Sequence, residues 1–284
     1  MKPHQMNVDL PLSDEQRARI EGEIVREARR TLVGRRFINV WGPIGAGVES
    51  ISFDTYVRDD RAEIHLEGRE DPHPIGAHTA EEYRRIPLIY KDFLMHWRDV
   101  KLSRDMGAPI DAGNAILATQ FVAHREDDLI FNGHPELGIT GLANAPGTVK
   151  IEGGDWREFG VAFRDVVSAM TSLEKNGHHP PYAVTLSTDS YWKLVKSEGT
   201  TSPVLEIDQI SRLCADGVYQ THVLPEATAV LVSTGDENFD IAVAEDLNLA
   251  YLGPRDMNYA FRVYQSLVLR VKRAKAIAVI TAKN

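Results

Sequence analysis

Only one of the 284 residues is a cysteine, Cys214. That excludes an internal disulfide and a cluster of thiolate metal ligands, and it makes the reducing cytosol the natural compartment. Long apolar runs are missing too. The first ten residues hold no apolar stretch of signal-peptide length, and nothing later approaches the roughly 18 apolar residues of a membrane span. Nor is there an excess of basic charge. Lys and Arg number 32 against 41 Asp and Glu, a formal charge of -9, which argues against broad electrostatic binding to nucleic acid or anionic lipid.

Catalytic signatures are equally scarce. The chain has no Gly-x-Ser-x-Gly elbow and no Ser-x-x-Lys with its supporting motifs, and Cys214 lies on an expected helix between Leu213 and Ala215, where it reads as packing. The glycines at 42, 45 and 47 lack the third glycine of a dinucleotide fingerprint. The residues after them read as strand, and the Lys-Ser/Thr pair of a phosphate loop is absent, so a structural turn is expected there. Ten histidines raise the question of metal. His124 and Asp128 stand one helical turn apart beside Glu126 and Asp127, but no second His falls at ligand spacing, and an exposed charged helix face accounts for the group. His178-His179, between a helix-ending glycine and two prolines, reads as a turn. No catalytic residue, metal site or cofactor is therefore expected.

What is present is an ordinary globular balance, 43% hydrophobic and 26% charged, on a chain long enough for one large or two modest domains. Ser13-Asp14-Glu15-Gln16 has the form of a capping box. Ile20, Ile24, Ala28 and Leu32 follow at steps of four, with acids early, arginines late and Gly34 placed to close the helix. A short strand is expected over 37–41. Residues 51–67 roughly alternate, 68–79 are rich in His, Pro and Gly, and 85–96 again read as strand, together an extended arm with too little apolar material for its own core. Helices are expected from Asp111 to about Phe131, with Ile116, Leu117, Gln120, Phe121, His124 and Asp128 at helical spacing, and from Trp156 to Asn176. A strand at 182–186, short helices near 191–196 and 207–215, a strand at 229–233 and alternation from Phe261 through Ile280 complete the pattern. Helices and strands mix without a strict βαβ rhythm, so the fold class is α+β.

Specific stretches go further. The run 28–38, with Gly34-Arg35-Arg36-Phe37-Ile38, the turn Gly42-Pro43-Ile44-Gly45-Ala46-Gly47, and 86–99, with Tyr90-Lys91-Asp92-Phe93, resemble the encapsulin shell proteins, once labelled linocin-type bacteriocins. So do Glu126-Asp127-Asp128-Leu129-Ile130-Phe131-Asn132-Gly133, Pro181-Tyr182-Ala183-Val184, Asp216-Gly217-Val218-Tyr219-Gln220, Ala250-Tyr251-Leu252-Gly253 and the run 257–264. These matches follow one another in family order from about residue 12 to 280.

The resemblance implies the HK97 phage-capsid-like fold. It assigns an N-terminal helix and the start of a P-domain to 1–50, an E-loop to 51–86, P-domain with spine helix to 87–148, an A-domain to 149–228 and a P-domain return to 229–284. It implies a non-enzymatic shell that self-assembles as an icosahedral homo-oligomer, in sixty copies or a permitted multiple, and forms a cytoplasmic nanocompartment. The partner it implies is a cargo protein with a short C-terminal targeting peptide. The wording at 34–36 and 90–93 is most like shells that hold a ferritin-like iron-storage protein, with a dye-decolorising peroxidase as the other cargo; no nucleic acid or membrane partner is implied. Cargo docking would fall on Leu32, Arg35, Phe37, Asn39, Asp246, Leu247 and Tyr251, with Asn39 standing where the family often carries Asp. A five-fold pore would be lined by Lys196, Glu198, Gly199, Thr200 and Thr201. Two other readings stay open, a phage or prophage major capsid protein of the same fold and a stand-alone hydrolase or metal enzyme.

Overall fold

The computed structural model describes residues 11–55, 62–68, 70–71, 81–197 and 204–283. Helix α1 (Asp14–Thr31) begins as the capping box predicts. The Ser13 hydroxyl accepts from the Gln16 N–H at 3.2 Å, and the Gln16 side chain accepts from the Ser13 N–H at 2.9 Å, so two otherwise unpaired donors are satisfied reciprocally. Gly34 does not close the helix. The chain leaves it at Leu32, whose backbone is already extended (φ -60°, ψ 132°) while its N–H still reaches Ala28 O. A single 3-10 turn, Gly34–Arg36, follows. That turn shortens the expected 37–41 strand to β1 (Val40–Trp41).

β2 (Ser50–Asp54) and β3 (Glu81–Arg85) pair antiparallel as a separate two-stranded ribbon. β4 (Leu88–Met95) runs into α2 (Trp97–Met106), a helix absent from the sequence reading. In α3 (Gly113–Asn132), Asp111 accepts from Gly113 N at 2.8 Å although Ala112 occupies the cap position. The buried face is not the expected one. Ala115, Thr119, Val122, Ala123, Glu126, Asp127 and Ile130 face inward, while Leu117 and Phe121 are exposed.

The rest of the chain runs β5 (Val149–Asp155), α4 (Val161–Lys175), β6 (Tyr182–Ser187), α5 (Thr188–Leu194), α6 (Glu206–Ser211), β7 (Val218–Thr221), β8 (Thr228–Ser233), β9 (Phe239–Arg255), β10 (Asn258–Val271) and β11 (Ile277–Lys283). Helix α4 starts later than Trp156 because Gly160, at φ 84°, makes the turn that admits it.

Two sheets organise these elements. One has the order β1-β9-β10-β4, the other β5-β11-β8-β6-β7. The segment 229–284 contributes to both: β9 and β10 lie in the first sheet, β11 and nearly all of β8 in the second. The second sheet is buried on both faces, and its side chains alternate between two cores. Val184, Leu186, Ala229, Leu231, Ala278 and Ile280 pack with α4 residues such as Val166 and Leu173 around Trp156. Ala183, Val230, Val232, Ile277 and Val279 face the other way and join the main core with α1, α3, β9 and β10.

Candidate functional site

The expected docking residues gather around the turn that follows α1. Its shape is set by α3, far away in sequence. The Asp127 carboxylate accepts from Val33 N at 2.9 Å and Gly34 N at 2.9 Å, capping a 3-10 turn whose own first residue offers no side-chain acceptor. Gly34 brings this backbone close to α3, where a Cβ would lie 2.9 Å from Ile130 Cδ1. Arg36 folds back and donates to Leu32 O and Arg30 O, both at 2.9 Å, placing a cation on the carbonyl end of α1.

Arg35 points the other way. Its Nε donates to Glu126 Oε1 at 2.5 Å, Nη1 to Asp246 Oδ1 at 2.7 Å and Nη2 to Gln265 Oε1 at 3.0 Å, while Gln265 Nε2 donates to Glu126 Oε2 at 2.6 Å. Burial alone would lower the pKa of this guanidinium, but Glu126 and Asp246 outweigh it and hold the cation more firmly than usual. Glu126 is 0% exposed, and burial raises its pKa against the opposing Arg35. Burial pushes Asp127 up to about 7, with the two N–H bonds opposing.

Asp246 and Leu247 reach this turn through a β-bulge. Tyr264 is opposite Asn248 and Ser266 opposite Glu245, so the two residues 246 and 247 of β9 face Gln265 alone. The extra residue bends the strand and re-aims its side chains. Asp246 stays 59% exposed beside Arg35, and Leu247 packs against Ala28, Leu32 and Ala123 in a small apolar cluster. Leu32, Arg35, Asp246 and Leu247 are thus brought together. Tyr251 lies further along β9 and packs its ring on Phe261 and Tyr259, at 5.1 and 6.4 Å, in the main core. Phe37 and Asn39 border a different space. Phe37 stacks on Tyr219 at 5.5 Å, and Asn39 donates to Asp236. Between them and Asp216-Gly217 opens a cavity of about 470 Å³ that Arg35 and Arg36 also line.

Sequence reasoning misplaced Glu126 and Asp127 on an exposed face and gave no role to Gln265 or Tyr219. The signal for the acidic pair was there: with Thr119, Val122, Ala123 and Ile130 they form the 3.6-residue stripe that α3 buries.

Of the expected pore residues, Glu198, Gly199, Thr200 and Thr201 lie outside the described residues. Lys196, the one expected pore residue among those described, engages groups of its own subunit. Its ammonium donates to Trp156 O and to Glu158 O and lies 3.4 Å from the fully buried Glu206 carboxylate. The backbone closes the base of this loop through Glu206 N to Lys196 O at 2.9 Å. Among the described residues no group of three or more His, Cys, Asp or Glu is placed to hold a metal ion. Cys214 is buried, and its thiol is pushed up to about 12 by that burial, which leaves almost no thiolate at neutral pH.

Comparison with known proteins agrees with this architecture. Residues 3–268 match the profile of the family described as encapsulating protein for peroxidase. The type 1 encapsulin shell protein EncA of Myxococcus xanthus is 40% identical over 270 residues, covering 95% of this chain and 93% of that protein. The solved virus-like particle from Pyrococcus furiosus superimposes with a TM-score of 0.73 at 18% identity, over 94% of this chain and 98% of that chain. The capsid of Myoviridae phage XM1 does so at 0.60 and 12%, over 86% and 90%. Two sheets, a long buried helix and a separate β-ribbon are here the HK97-like capsid fold, and the chain belongs to the encapsulin shell-protein family.

Proposed function

We propose that this chain assembles into a closed icosahedral cage in the cytoplasm, in sixty copies or a permitted multiple, and encloses a cargo protein held by its C-terminal tail. The observation that carries the assembly is an apolar surface a lone monomer would not keep. Leu88, Tyr90 and Leu94 project from one face of β4, with Tyr90 53% exposed, while Lys91 on its other face sets its ammonium 5.3 Å from the ring of Phe121 of α3. Burying such a patch against a second copy is favourable at roughly 25 cal/mol per Å² of apolar area. The β2–β3 ribbon supports the same reading. Phe53, 8% exposed, is the one buried residue of the two strands, so the ribbon's order has to come from outside itself.

In this reading the E-loop is 51–86, the spine helix is α3, and the A-domain is 149–228 with β8 and β11 completing its sheet. The tail would lie across the turn after α1, with one apolar residue on Leu32 and Leu247 and a polar group toward Asp246, and would continue to the separate cavity bordered by Phe37 and Asn39. Arg35 supports this groove from beneath, since most of its donors are already engaged. A ferritin-like protein is the favoured cargo. A peroxidase is the second, favoured by the family description.

Small substrates would enter at the 196–203 loop around the five-fold axis. With Lys196 engaged by groups of its own subunit, Glu198 is the charge assigned to the rim, where symmetry would repeat it. Glu198→Lys should therefore alter uptake of a charged small substrate and leave a neutral one unchanged. Equal rates for both, at low and high salt, would reject the pore. The whole reading is tested by isolating particles from cells that express the chain and identifying the enclosed protein by mass spectrometry. Particles carrying an enzyme with a short C-terminal extension support it; empty particles from cells that contain such an enzyme count against the cargo role.

A further inference from the structure

The acidic pair of α3 is buried, charged in chemistry and unused by packing alone. A helix face lined by Val122, Ala123 and Ile130 would be filled as well by apolar side chains, yet it carries Glu126 and Asp127 at 0% and 1% exposure. Two buried carboxylates side by side are costly unless each has partners. Every named partner but one belongs to the same short segment. Asp127 takes the N–H groups of Val33 and Gly34, and Glu126 takes the Arg35 guanidinium, with Gln265 opposite the bulge as the remaining donor.

We infer that Glu126 and Asp127 are positioning residues for cargo docking: Asp127 fixes the backbone of the turn after α1, and Glu126 fixes Arg35 so that it holds Asp246 and the bulge in register with that turn. The inference rests on the docking reading above. Asp127 works through hydrogen-bond acceptance, since the turn has no side-chain cap of its own. Glu126 works through Arg35, which spans from α3 to the exposed Asp246 with contacts of 2.5 and 2.7 Å at its two ends. Neither carboxylate touches the cargo. The groove is therefore preformed, and a tail that binds it does not have to order the turn first.

The test uses the assembled shell and two readouts. Hydrogen exchange reports the Val33 and Gly34 amides directly. Loading is measured with a fluorescent protein carrying the C-terminal tail of the enzyme identified inside native particles. In the unaltered shell those two amides should exchange about as slowly as the amides in the middle of α3; fast exchange there would overturn the inference without any variant. Asp127→Ala should speed them at least tenfold and lower loading at least tenfold in shells that still close. Asp127→Asn keeps one of the two acceptor oxygens, placed for Gly34 N at 2.9 Å and Val33 N at 3.2 Å, and should restore both readouts in part. Glu126→Ala should lower loading with the Val33 and Gly34 amides still slow, separating the two roles. Amides unchanged by Asp127→Ala would overturn the clamp. Amides released with loading undiminished would instead overturn the docking reading on which it rests.

Discussion

Asp127 accepts from two backbone amides while sitting in a place that disfavours its charge. Burial raises its pKa from 3.8 to about 7, with the neighbouring Glu126 adding to that rise and the Arg36 cation opposing it. The native state therefore keeps a proton that the unfolded chain has already lost. The resulting contribution to stability is fully present below about pH 4 and is lost as pH rises toward 7, on the order of 4 kcal/mol across that span. Asp127→Asn has no proton to lose. The difference in unfolding free energy between it and the unaltered shell, from denaturant titrations at pH 4, 5.5 and 8, should grow in favour of Asn with rising pH and level off above 7. A difference that stays flat would show that Asp127 does not titrate there. Leu247 carries the complementary prediction. Leu247→Asp would place an unpaired charge in the cluster of Ala28, Leu32 and Ala123, and loading of the tail-bearing probe should be abolished while electron microscopy still finds closed shells. Full loading would move the groove elsewhere.

Among the elements, those with a regular apolar period were legible from sequence. Helix α1 has a capping box and a four-residue apolar step, and β10 alternates in sequence at Phe261, Val263, Gln265, Leu267 and Leu269; both stand where the pattern put them, although β10 is buried on both faces from Gln265 to Arg270. β9 was missed because it does not alternate. Its first six residues, Phe239 to Ala244, are all buried between the two layers, and the bulge at Asp246-Leu247 then breaks the period. The docking residues after α1 and on β9 came from family resemblance, whereas Glu126 and Asp127 could have been read from the helical stripe had two acids not suggested a wet surface. The loop base offers a test at this scale. Glu206 is fully buried, takes Phe163 N at 3.1 Å and has Lys196 as its cation. Removing one partner of a buried pair leaves the other charge uncompensated. Lys196→Met should thus destabilise the protein by about 3 kcal/mol, measured by denaturant unfolding, and Glu206→Gln, which keeps the Phe163 bond, by clearly less. Equal losses would mean that the pair does not hold the loop.

At the scale of the whole molecule, one chain presents two packed layers with their own cores, and beside them a ribbon with almost no core and an exposed apolar row on β4. Neither of the last two is satisfied within the monomer, and each would be by a neighbour. The net charge of -9 gives the copies a general repulsion, so closure has to be driven by specific apolar contacts and should survive moderate salt, which screens the repulsion. Leu88→Asp would put a charge into that contact and should leave the subunit folded, by circular dichroism, but unable to form particles. The central claim is that the chain closes into a cage without help. Electron microscopy of the purified protein at native pH, with particle mass from light scattering, tests it most directly. Uniform closed shells with icosahedral symmetry and a mass near sixty subunits or a permitted multiple are the predicted result; monomers, dimers or open filaments under the same conditions would contradict it.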